Sequence, residues 1–62
     1  MEAQGGNYIY KGNKYEVIRA CKVKDPATQD WYAAIIYWNP NTQQTYVREI
    51  NDFYNKFVKS NN

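Results

Sequence analysis

The chain has 62 residues, a net charge of +2, one cysteine and no histidine. That length holds one domain, whose core supplies only about 3–5 kcal/mol of net stability. A lone cysteine excludes an internal disulfide, and the missing histidine removes both a zinc site and the commonest general base at neutral pH.

Packing therefore rests on aromatic residues: seven tyrosines, two tryptophans and two phenylalanines make up 18% of the chain. Residues 1–6, Met1-Glu2-Ala3-Gln4-Gly5-Gly6, read as a disordered lead without the basic and apolar regions of a signal peptide. No stretch approaches the roughly 20 apolar residues that span a bilayer, so no membrane partner is expected. The lone thiol suits a reducing compartment, and the expected location is cytoplasmic.

Asn7-Tyr8-Ile9-Tyr10-Lys11 is rich in strand formers, and Gly12-Asn13 is a tight-hairpin signal. Lys14 to Val23 reads as a longer second strand. Tyr15, Val17, Cys21 and Val23 share one parity there, and Ile18 and Ala20 the other. A bulge near Val17-Ile18 would turn both sets toward one core. Lys24 to Asp30 is a loop marked by Asp25-Pro26.

The run Trp31-Tyr32-Ala33-Ala34-Ile35-Ile36-Tyr37-Trp38 is apolar at even and odd positions alike. A strand with one wet face alternates, so both faces of this one need a cover. The barrel interior would supply one cover, and the C-terminal helix or a second copy of the chain the other. Asn39 to Gln44 is a turn, and Thr45 to Ile50 a fourth strand. Ile50, Phe53, Tyr54, Phe57 and Val58 then follow helical spacing, with Asn51 placed to cap the helix and Lys56 and Lys59 near its far end. The tail is 60–62.

The expected fold is mostly β with one helix (α+β) over residues 7–59. It is a small SH3-like antiparallel barrel or a bent meander sheet, closed by one short C-terminal helix. Tyr15, Ile35, Val47, Ile50, Phe53 and Phe57 are the expected core.

Tyr10-Lys11-Gly12-Asn13-Lys14-Tyr15-Glu16-Val17 and Tyr46-Val47-Arg48-Glu49, followed by Phe53 and Val58, resemble a family of small bacterial domains of unknown function, the DUF1653 type. The family typically carries proline after the arginine, where this chain has Glu49. The resemblance spans residues 8–58 and implies an SH3-like barrel without implying an activity.

No catalytic constellation stands out. Cys21 has no histidine to activate it, Ser60 lies in the tail, and no glycine-rich phosphate loop is present. No enzyme and no cofactor are expected. The aromatics exceed what so small a core can hold, so Tyr10, Tyr32, Tyr37, Trp38 and Tyr46 are candidates for a protein-recognition surface. Such a module would act as a small inhibitor, in the manner of a phage-encoded effector that occludes a host protein, and a homodimer is a further option. The alternative partner is nucleic acid. Residues 7–24 hold Lys11, Lys14, Arg19, Lys22 and Lys24 against Glu16 alone, a basic half that could contact phosphates while tyrosines stack on bases. Against it, residues 25–54 hold Arg48 beside Asp25, Asp30, Glu49 and Asp52.

Overall fold

A computed structural model describes residues 6–60. Its elements are β1 (Asn7–Tyr10), β2 (Asn13–Lys24), β3 (Trp31–Asn39), β4 (Gln44–Glu49), α1 (Ile50–Lys56) and β5 (Val58–Lys59). The strands form one antiparallel sheet in the order β4-β3-β2-β1-β5. Residues 1–5 of the expected lead 1–6 and the last two residues of the expected tail lie outside the described residues. Gly6 and Ser60 flank the sheet and are hydrogen-bonded to it: the Val17 amide donates to the Gly6 carbonyl at 3.0 Å and the Ser60 amide to that of Asn7 at 2.8 Å.

Local backbone chemistry sets the register. The first turn sits one residue earlier than its sequence signal, on Lys11-Gly12, because Tyr10 pairs with Asn13. Both turn residues have positive φ, 52° and 79°, which is what a two-residue hairpin matching the strand twist requires. A Cβ on Gly12 would meet nothing within 4 Å, so glycine is needed there for its backbone freedom alone. The loop after β2 is tied by the Asp25 amide donating to the Asp30 carbonyl at 2.7 Å, with the Asp25 carboxylate accepting from Ala27. The turn after β3 is held by the buried Asn39, whose Oδ1 accepts from the Asn41 amide at 2.9 Å.

The bulge expected near Val17-Ile18 is present: Val17 pairs with Tyr37 and Arg19 with Ile36, leaving Ile18 as the extra residue. Its consequence differs from the expectation. One inserted residue moves every later side chain to the other face. Ahead of the bulge, Tyr15 and Val17 share the face of Tyr37. Beyond it that face takes Ala20, Lys22 and Lys24, while Cys21 and Val23 join Ala34 and Tyr32 on the reverse.

The core cluster lies on one side of the sheet, and Ala34, on the reverse face, is buried apart from it. Tyr8, Val17, Ile35, Tyr37, Phe53 and Phe57 form the cluster, with Tyr10, Tyr15 and Ile50 packed against them. Val47, expected in the core, is 52% exposed, because its pairing with Ile36 puts it on the reverse face at the sheet edge. Helix α1 docks on the core side, with the ring of its Phe53 5.2 Å and that of the C-cap residue Phe57 5.0 Å from the ring of Tyr37. The helix therefore covers the face already buried, not the second face of β3. Its cap is Glu49 rather than Asn51: the Glu49 carboxylate accepts from the amides of Asn51 at 3.1 Å and Asp52 at 2.9 Å. It also ends earlier than its periodicity suggests. Phe57 turns extended and Val58 pairs with Ile9, giving the outer edge of β1 a hydrogen-bonding partner.

The sheet is not closed. Strands β4 and β5 stand at opposite edges, so among the described residues the bent meander is found and the closed barrel is not. The curl is nonetheless strong enough for side chains to bridge the open side. The Arg48 guanidinium, from β4, lies 5.4 Å from the ring centroids of both Tyr10, from β1, and Phe57.

Candidate binding surface

The curl gathers a continuous aromatic cluster on the inner face. Tyr10 stacks on Phe57 at 4.6 Å, Phe57 meets Tyr15 edge-on at 5.4 Å, and Tyr15 meets Tyr37 at 5.5 Å. Tyr46 stacks on Tyr37 at 5.5 Å and is 42% exposed. Alternate positions on neighbouring strands make this inevitable once the register is set: Tyr8 opposes Tyr15, and Tyr37 opposes both Val17 and Tyr46.

Arg48 locks the cluster. Its Nε donates to the Tyr37 hydroxyl at 3.2 Å and its Nη1 to Asp52 Oδ2 at 2.7 Å. These bonds, to Tyr37 first and Asp52 second, hold the guanidinium more firmly protonated than usual. Asp52 is shared with Lys56, whose Nζ lies 3.2 Å from Oδ1. The bonds from Arg48, then Lys56, hold the Asp52 carboxyl below its ordinary range.

The structure thus brings Tyr10, Tyr37 and Tyr46 together and separates Tyr32 and Trp38 from them. Tyr37 is a core residue at 3% exposure and anchors the patch from beneath. Tyr46 is its exposed tip, half-buried Tyr10 and Tyr15 flank it, and the Lys11 ammonium lies 5.4 Å from the Tyr10 centroid. Tyr32 and half-buried Trp38 occupy the reverse face, where the Trp38 indole donates to Glu16 at 2.9 Å.

The five basic candidates do not form one patch, and the bulge is the reason. Lys11 sits in the first turn. Lys14, paired with Ile9, and Arg19, paired with Ile36, face the reverse side. Lys22 and Lys24, paired with Ala33 and Trp31, face the inner side. The last two lie where β2 and β3 run on past the other strands as a two-stranded ribbon. Trp31 stands there at 63% exposure with the Lys24 ammonium 5.8 Å from its ring.

Three residues that matter here were not singled out as site candidates. Tyr15, an expected core residue, is half-buried and packs against the core while bordering the patch. Arg48 shares the parity of Tyr46 in Tyr46-Val47-Arg48, a usable signal for a common face. Trp31 directly follows a loop, where a strand end has neighbours on one side only.

The acidic residues have structural tasks. Asp25 ties a loop, Glu16 takes the Trp38 indole, Glu49 caps α1 and Asp52 pairs with Arg48. Among the described residues no group of three His, Cys, Asp or Glu is placed to hold a metal ion, and no helix is long and apolar enough to cross a membrane. What the geometry offers is rigid aromatic surface with polar tips. Compared with known proteins, the chain matches no family model, no curated protein and no solved structure.

Proposed function

We propose that the chain is a non-catalytic module that binds another protein through the tyrosine surface of Tyr46, Tyr15 and Tyr10. The observation that carries this is the mounting of Tyr46: an exposed ring stacked on the buried Tyr37, which is itself tied to Arg48. Aromatic anchors held in place before binding lose little conformational entropy when a partner arrives, and such residues dominate interface energetics. A module of this size acts by occupancy, covering a surface of its target in the manner of a phage-encoded inhibitor. Its free, half-buried Cys21 suits the cytoplasm.

The test compares capture of a partner from host lysate by the native chain, by Tyr46→Ala and by Tyr32→Ala on the reverse face. Loss with Tyr46→Ala alone supports the proposal. Equal capture by all three overturns it. So does recovery of nucleic acid whose log affinity falls with log salt by roughly 0.7–0.9 per phosphate contact.

A further inference from the structure

The two edges of the sheet are built differently. Strand β5 is two residues long and carries Lys59, and short, charged edges resist pairing with other chains. Strand β4 runs for six residues, pairs with β3 without a bulge, and contains neither lysine nor proline. Gln44 to Val47 are exposed along it, and Thr45-Tyr46-Val47 are all strong strand formers. An edge of this kind presents unpaired backbone donors and acceptors to any strand of matching pattern.

We infer that β4 pairs with the β4 of a second copy, antiparallel about a twofold axis at Val47, to give a homodimer with one continuous sheet. The sequence of the strand is self-complementary in that register. Val47 faces the partner's Val47, Tyr46 faces the partner's Arg48, and Thr45 faces the partner's Glu49. The charged end of each strand meets the neutral end of the other, so no like charges oppose, and charge pattern is a main determinant of strand choice. The pairing also extends the apolar row of the reverse face, since Val47 lies beside Ile36. Ile36-Val47 would continue into its own copy and cover the more exposed apolar residue of the edge. Tyr46 lies on this strand as well as on the tyrosine surface, so the dimer seam adjoins that surface; the test separates the two by substituting Val47, on the reverse face, which leaves the tyrosines in place.

Sedimentation equilibrium on the full chain tests it. The expected mass rises from 7.4 kDa at micromolar protein toward twice that at millimolar. Val47→Lys should stay monomeric throughout with an unchanged circular dichroism spectrum. Val58→Lys, on the β5 edge, should dimerise like the native chain. A native chain that stays at 7.4 kDa at millimolar protein overturns the inference, as does equal loss of dimer in both variants. Should Val47→Lys unfold, Val47→Cys in a Cys21→Ser background decides. Mild oxidation should link two copies through the residue on the axis, and absence of the link overturns the assignment.

Discussion

Two pairs of similar residues on opposite faces of β3 have opposite fates. Ile35 and Tyr37 look inward and are 0% and 3% exposed; Ile36 and Trp38 look outward and remain half-buried. The inner pair meets α1, Val17 and the aromatic cluster. The outer pair lies between β2 and β4, with the indole of Trp38 bonded to Glu16. Hydrophobic character alone therefore does not decide burial. What decides it is which face the helix reaches, and that follows from where β4 ends and Glu49 caps the next turn.

The sharpest break of this comparison is truncation on each side. Phe57→Ala, which removes the ring stacked on Tyr10, should cost about 3–5 kcal/mol and leave the chain largely unfolded. Ile36→Ala should cost only about 1 kcal/mol, in proportion to the smaller area it covers. Urea denaturation measures both, and equal losses would mean that the outer face is covered in solution. A smaller effect comes from Arg48→Met, which keeps the stem over Tyr10 but removes both hydrogen bonds. A loss on the order of 1–2 kcal/mol is expected from the same curves.

The clamp on the inner face also titrates. Asp52 has its folded pKa below the ordinary 3.8, so its contribution is present above pH 3.8 and disappears as pH falls through the lower folded value. The native chain should lose stability in that acidic window more steeply than Asp52→Asn, as followed by tyrosine fluorescence. The smallest effect sharpens register. Lys11 holds positive φ with a side chain, so Lys11→Asn should stabilise by about 0.5 kcal/mol, read as a raised urea midpoint. Gly12→Ala should do the reverse, by about 1 kcal/mol.

Much of this was legible in the chain. The four long strands, the helix, the turns and the bulge all follow from short-range rules: turn residues, strand formers, a switch from period 2 to helical spacing, and a parity break in β2. The inner positions of Phe53, Phe57 and Ile35 follow from the same periodicity. Other features were not legible, among them the exact position of the first turn, the face of Val47 and the division of the basic residues. The turn shifted by one residue because the pairing of Tyr8 with Tyr15 and of Tyr10 with Asn13 fixes the register and leaves Lys11-Gly12 at the loop. Val47 left the core because its face depends on pairing with Ile36. The basic residues split because the bulge reverses parity between Lys14 and Lys22.

By itself the sequence determined the kinds of element and their order, because turn chemistry and periodicity act over a few residues. Only the tertiary structure decided which side of the sheet the helix covers, that β4 and β5 do not pair with each other, and that Tyr10, Tyr15, Tyr37 and Tyr46 meet. Those outcomes depend on cross-strand register and on the curl of the whole sheet, where one inserted residue exchanges inside for outside.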